Sequence, residues 1–352
     1  MSSINLISGG ILNCPAYSKP NVNGNGIAET FLALNAKLVP SVPNQDTRLG
    51  KLPEALLSVD ADVVCLNQIF HEDDIQSVTN AVVAKYPNVY SSIHGLNNNL
   101  LPAGKSPCSG WRTFWKLLCL SRRCSDQTDI EYILDCGIEK CSAWSALSQE
   151  CLTCVGTAGP ANALAKCVFS AKNINVAGNM ILSKAPIENA ESSFYVTEKQ
   201  ANRRGKLIVE IAGRTIACTN MQQASNDIYY EPDTQYFGSF ANENLEQAKC
   251  INSEFQQQSQ VILMGDLECG PAIPSAMPSI RGEHEPSYDE LTTQFSSPYV
   301  NLGITTSTRS NIISTHVMQK GYTGQDNCSQ VLGYYDGVEI STQYGVKCTI
   351  PS

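Results

Sequence analysis

Asp62-Val-Val-Cys-Leu-Asn-Gln-Ile-Phe70 is a short stretch rich in Val, Leu and Ile and bounded by polar residues. A half-exposed strand would alternate apolar and polar residues. Val, Val, Cys and Leu in a row are instead the pattern of a strand buried on both faces. Glu72, Asp73 and Asp74 follow at once, where acidic side chains suit the positive end of a helix, and helical spacing continues to Lys85. Working outward, Ile4–Ser8, Gly178–Ser183, Lys206–Ile211, Arg214–Asn220 and Gln260–Gly265 have the same character, short and bounded by Gly, Pro or polar breaks. Helical patterns lie between them at Pro53–Val59, with the stretch before it, and at Asn242–Gln258. Strands alternating with helices in this way predict an α/β body whose sheets are covered by helices.

The 352 residues correspond to about two domains at roughly 150 each, although a large α/β sandwich reaches this size as one unit. A hydrophobic fraction of 42% supplies a sizeable core and excludes a disordered chain. Lys and Arg total 24 against 33 Asp and Glu, a net charge of −9. That sign argues against a protein whose main task is gripping phosphate backbones, and for the same reason against binding to an anionic membrane surface. No apolar run approaches the ~18–20 residues that span a bilayer. The opening Met1–Gly10 shows no basic stretch followed by an apolar one, so no signal peptide is visible.

Fifteen cysteines fit two readings, a mature secreted chain whose leader has been trimmed or a reduced, metal-rich cytosolic one, and the secreted reading is the stronger. Eight of them (Cys108, Cys119, Cys124, Cys136, Cys141, Cys151, Cys154 and Cys167) crowd into one segment. Four bridges within that segment are expected, in any of about 105 connectivities. Zinc is the weaker reading: Cys151-Leu-Thr-Cys154 has ligand spacing, but no histidine lies between Cys108 and Cys167 and no second such pair answers the first. Thr128–Leu134, Ala143–Cys154 and Pro160–Phe169 have the look of short helices, which bury little by themselves and need cross-links. Cys65 and Cys218 sit in apolar runs as small buried hydrophobes, and Cys328 and Cys348 are placed to pair. An odd total leaves at least one thiol free or available to another subunit.

The strand ends match a pattern in order. The run Asp62–Phe70 resembles the "DVVCLQEVF" strand of the endonuclease/exonuclease/phosphatase superfamily, which includes deoxyribonuclease I and neutral sphingomyelinases. Gly178-Asn-Met-Ile-Leu-Ser-Lys-Ala-Pro-Ile187 is similar to its "GNMLLSRYPI" block, Ile216-Ala-Cys-Thr-Asn-Met-Gln222 to "VACTHLQ", and Val261-Ile-Leu-Met-Gly-Asp-Leu-Glu-Cys-Gly-Pro271 to "VILLGDFNCGP". Ser314-Thr-His-Val-Met318 resembles "LDHVF", and Ile340-Ser-Thr-Gln-Tyr-Gly-Val346 resembles "LSDHYGV". Six blocks in family order imply one domain over 1–352, a deoxyribonuclease I-like α/β sandwich of two sheets flanked by helices. Residues 108–170 would be a disulfide-rich helical insertion before the "GNMLLSR" strand.

The family's chemistry is Mg²⁺-assisted phosphodiester hydrolysis, which needs hard oxygen ligands, a base for water and donors for the phosphate. Position by position, the resemblance replaces those groups. The first strand offers Gly10 where the family has Asn. The metal glutamate becomes Gln68, and the histidine of "THLQ" becomes Asn220. Asp266 is kept, but the Asn two residues on becomes Glu268. The Asp of "LDHVF" becomes Thr315 beside a retained His316, and the closing Asp–His becomes Thr342 and Gln343. Asp266 is expected to hydrogen-bond loop amides and His316 to be a satisfied strand-end histidine; His71, His94 and His284 match no motif and are expected on the surface or in loops. No catalytic set, metal or cofactor is expected, and the chain reads as an inactive, secreted relative with a binding or structural role. Its partner would be a neutral polar ligand, a cation, another protein or further copies of itself, and not nucleic acid. The alternative is an active phosphodiesterase in which Asp266, Glu268 and His316 hold Mg²⁺ or Ca²⁺.

Overall fold

A computed structural model describes residues 12–18, 29–39, 42–94, 106–126, 130–143, 146–170, 173–200, 203–223, 237–323 and 327–351. Strand β2 (Val63–Asn67) is the apolar run of the previous section, and all five residues are buried. It pairs in parallel with β1 (Glu29–Asn35), in a register that sets Asn35 beside Asn67. With β3 (Asn88–Ser91), β4 (Met180–Ser183), β10 (Asn327–Val331) and β13 (Gly345–Ile350) they form a six-stranded sheet of order β10-β13-β1-β2-β4-β3. The second sheet runs in sequence order through β5 (Ile187–Phe194), β6 (Gly205–Ile211), β7 (Arg214–Asn220), β8 (Val261–Asp266) and β9 (Thr315–Lys320). A two-stranded ribbon, β11 (Tyr334–Tyr335) with β12 (Val338–Glu339), lies near the last strand.

Period-two alternation distributes the apolar side chains over three layers. Phe31, Ala33, Val63 and Cys65 of one sheet meet Leu207, Val209, Ile216, Ile262 and Met264 of the other in the central core. The intervening residues Leu32, Leu34, Val64 and Leu66 face outward against α1 (Gln45–Ser58) and α2 (Glu72–Val82). On the far side Ile208, Ala217 and Leu263 pack on α7 (Phe240–Glu254); α8 (Glu285–Thr292) lies beside it. The result is helix, sheet, sheet, helix.

Between β3 and β4 the chain leaves the sandwich and makes α3 (Trp111–Arg123), α4 (Ile130–Cys141), α5 (Gln149–Ala158) and α6 (Pro160–Ala163), which continues as a π-helical stretch Leu164–Ser170. The eight clustered cysteines close on themselves as Cys108–Cys151, Cys119–Cys141, Cys124–Cys136 and Cys154–Cys167. They form a second core with Leu117, Leu120, Leu147, Leu152 and Val155. The zinc reading of Cys151 and Cys154 is thereby overturned.

Three further bridges lie outside this segment. Cys328–Cys348 joins directly paired residues of β10 and β13, as the sequence suggested. Cys14–Cys250 ties the N-terminal segment to α7. Cys65–Cys218 crosses the central core from β2 to β7, so these two are half-cystines and not the small hydrophobes expected of them. Cys269 is the unpaired thiol, and it is buried, so it is not available to another subunit.

Candidate functional site

The two parallel pairs fix the site. β1 and β2 end together at Asn35 and Asn67, and β7 and β8 end together at Asn220 and Asp266, with Thr315 of β9 opposite Asp266. One edge of the sandwich therefore gathers these five strand ends, and every side chain there is at most 8% exposed. Gly10 lies outside the described residues. The first-strand position assigned to it is filled by Asn35, whose Nδ2 donates to Asp266 Oδ2.

Asn67 is the hub. Its Nδ2 donates to Asn179 Oδ1 at 2.9 Å and to the Thr219 carbonyl at 3.0 Å, while its Oδ1 accepts from the Asp266 backbone N–H at 3.0 Å. Asn179 Nδ2 donates in turn to the Gly205 carbonyl. These amides staple the two sheets at the end where their strands diverge. A buried amide left without partners costs about 1–3 kcal/mol, so the network is obligatory once formed. Asn35, Asn67, Asn179 and the buried Arg204 were not singled out from sequence; the signal for Asn35 was an apolar run, Phe31-Leu-Ala-Leu, ending on an amide as β2 does.

Asp266 and Glu268 form a buried acidic pair. Burial, then the adjacent Asp266, raise the Glu268 carboxyl well above its ordinary value, opposed by the more distant Lys37 and Arg204. These effects favour the protonated form of Glu268, whose proton is hydrogen-bonded to Asp266. Asp266 Oδ1, Glu268 Oε1 and both polar atoms of the Asn220 side chain have no hydrogen-bond partner. Gln68 follows directly with φ +59°, its carbonyl accepting from Leu38 N–H at 3.1 Å.

At the other end of the row, Thr315 Oγ1 donates to Gln343 Oε1 at 3.2 Å, and Gln343 Nε2 donates to Ser314 Oγ at 3.1 Å. Two of the positions that the resemblance reserves for an Asp–His pair are therefore a hydroxyl–amide pair in contact. Thr342 contributes its carbonyl, which accepts from Thr308 N–H. His316 turns to the opposite face of β9: its Nε2 lies 2.7 Å from the Cys269 carbonyl and its Nδ1 3.0 Å from Ser297 Oγ. Burial lowers its pKa to about 4, so the ring is neutral, donating from Nε2 and accepting at Nδ1. His71 and His94 are buried as well, against expectation. His71 Nε2 meets Thr157 Oγ1 at 2.9 Å and its pKa falls to about 3; His94 Nδ1 meets Ser91 Oγ at 2.8 Å and its pKa falls to about 4, both through burial.

The resemblance implies a divalent metal at this edge. The unpartnered oxygens are hard donors of the right kind, but Gln68 is neutral, both His316 nitrogens are engaged, and burial favours the protonated form of Glu268. Among the described residues no three His, Cys, Asp or Glu side chains converge on one point. The residues present do not fit a magnesium cage.

Two mixed sheets face to face, helices outside and a polar centre at the converging strand ends define a deoxyribonuclease I-like fold. Solved structures that share it include SmcL, with a TM-score of 0.50 and 12% identity over 92% of this chain and 99% of that one. TDP2 from C. elegans gives a TM-score of 0.51 and 10% identity over 94% and 77% of the two chains. Sphingomyelinase C from Streptomyces griseocarneus gives 0.49 and 13% over 92% and 99%. At such identities the likeness is one of fold. No family model matches the sequence, and a search of curated proteins finds no sequence match.

Proposed function

We propose that this chain is a non-hydrolytic protein on a phosphodiesterase-type scaffold, in which the strand-end centre serves binding or structure in place of catalysis. The observation that carries the reading is the Thr315–Gln343 hydrogen bond. A hydroxyl and a carboxamide neither accept a proton from water at neutral pH nor become charged, so the pair cannot act as a general base, whose help is typically worth 10²–10⁴-fold. Burial disfavours the charged form of Glu268 and both nitrogens of His316 are engaged, so neither replaces that pair. The closed network of Asn35, Asn67, Asn179 and Asp266 works as a keystone between the sheets, and Asn220 is the group best suited to a neutral polar ligand. The seven bridges support an oxidising, secretory or extracellular setting.

The unpartnered oxygens of Asp266 and Glu268 favour one competing reading, an active enzyme in which a cation displaces the Glu268 proton. Turnover of bis(p-nitrophenyl) phosphate and of sphingomyelin with Mg²⁺, Ca²⁺ or Mn²⁺ separates the two. The expected result is no rate above buffer and no heat of Mg²⁺ binding in titration calorimetry. A metal-dependent rate that Asp266→Ala abolishes would overturn the proposal.

A further inference from the structure

Helix α3 carries an aromatic cluster that the rest of the described chain leaves in solvent. Trp111 is 72% exposed and Trp115 50%. Their rings meet edge to face at 5.4 Å, and Phe114 lies 6.1 Å from the first and 5.9 Å from the second. The helix buries Thr113, Leu117 and Leu120; at 3.6 residues per turn this puts Trp111 and Trp115 on the outward side. Phe169, on the π-helical stretch that packs beside α3, is 75% exposed. Contiguous aromatic surface of this kind marks an interaction site, whereas single exposed apolar residues do not.

The charge on the same helix runs against that of the protein. Arg112, Lys116, Arg122 and Arg123 stand with no acidic residue between Trp111 and Arg123, in a chain of net charge −9. Among the described residues none of the four is in a salt bridge. Lys116 and Arg123 donate to the last carbonyls of α4, those of Cys141 and Lys140. Arg112 and Arg122 are exposed beside the indoles.

We propose that α3 is an interfacial anchor that seats the chain on an anionic lipid surface. Indole and phenyl rings settle at the headgroup level, and flanking guanidinium and ammonium groups meet lipid phosphate and carboxylate. Cys108–Cys151 pins the chain just before α3, and Cys119–Cys141 and Cys124–Cys136 bind its C-terminal half and C-cap to α4, so the rings are displayed with little ordering cost on binding. A second copy is the poorer occupant, because two such faces would set four cations against four. The acidic remainder of the chain is repelled by the same surface and fixes the insertion, not the sandwich, as the side that lands. The proposal does not depend on what the strand-end centre does.

Co-sedimentation with phosphatidylcholine vesicles, with and without phosphatidylserine, tests it. The expected result is binding only when phosphatidylserine is present, weakened by salt, with a blue shift in tryptophan emission. Trp111→Ala with Trp115→Ala, and separately Arg112→Glu with Arg122→Glu, should each lower the partition coefficient at least about tenfold. All four side chains are surface groups, so the thermal midpoint should stay that of the parent; if the first variant does not fold, the second alone decides. No binding to phosphatidylserine vesicles, or equal binding by parent and variants, would overturn the anchor. So would a dimer in light scattering that the tryptophan variant dissociates.

Discussion

Between its sheets the molecule buries a continuous layer of Val, Ile, Leu, Met and Phe with one bridge across it, Cys65–Cys218, and one within a sheet, Cys328–Cys348, while the β3–β4 insertion spends four bridges on four short helices. The sandwich has enough apolar area to hold itself; helices of ten to thirteen residues around a handful of leucines do not. The contrast extends to polar groups. The sandwich uses buried amides that tie its strands together and buried charges that tie strand to helix, as with Lys206 of β6 and Glu254 of α7, 2.8 Å apart and both 1% exposed. The insertion puts its charges and three of its aromatics outside. Covalent stapling thus releases a region from having to build a full core, and leaves its surface residues open to other uses.

The sharpest way to break the comparison is to remove the staples. Replacing all four insertion pairs by serine should cost the most, since closing loops of 12 to 43 residues stabilises by about 3–4 kcal/mol each in the chain-entropy view. Hydrogen exchange should show α3 to α6 unprotected while β6 to β8 stay protected; equal loss in both regions would mean that the insertion supports the sandwich. Next in size, Lys206→Met leaves Glu254 buried and unpaired and should lower the unfolding free energy by ~3–5 kcal/mol in urea titration, with the insertion helices unaffected. Asn67→Ala removes three hydrogen bonds, two of them across the sheets, and should cost ~2–4 kcal/mol. A neutral outcome there would deny the amide hub its role.

The smallest expected effect is in the pH profile. The folded-state pKa of Glu268 is raised, so the folded protein binds more protons than the unfolded chain, and this part of the stability is full below the ordinary glutamate value and fades as pH rises. His71, His94 and His316 act oppositely. Their folded values, about 3, about 4 and about 4, lie below the ordinary 6.5, so stability is lost as pH falls from 6.5 towards 4. Denaturation midpoints should therefore peak at mildly acidic pH, and Glu268→Gln should flatten the alkaline side alone. A variant that flattens the acid side would move the Glu268 proton elsewhere.

The interior strands were legible in the sequence because burial on both faces leaves apolar runs: β4, β6, β7 and β8 fall within a residue or two of where those runs lie, and β2 ends three residues before its run does. Other elements hid for physical reasons. β5 (Ile187–Phe194) is an edge strand whose polar residues mask the pattern. α3 hides because its largest apolar side chains point outward. The parallel neighbour of β2 was sought at Ile4–Ser8, which lies outside the described residues, while β1 begins on the polar pair Glu29-Thr30. At the site, the strand-end residues Asn220, Asp266, Thr315 and Gln343 stood out because recognisable blocks end on them. Their partners Asn35, Asn67 and Asn179 did not, since a hydrogen bond between sheets leaves no local mark. The bridge Cys65–Cys218, 153 residues apart in sequence, escaped for the same reason.

Cys269, the unbridged cysteine, sits three residues past Asp266 with its carbonyl on His316 and its thiol sealed from solvent. Burial and the two neighbouring carboxyls also raise its pKa, which keeps the sulfur protonated and unreactive. The folded chain consequently carries an internal chronometer. Each capture of that sulfur by an alkylating reagent records one opening of the sandwich at its strand ends, so the speed of labelling would count how often the keystone gives way.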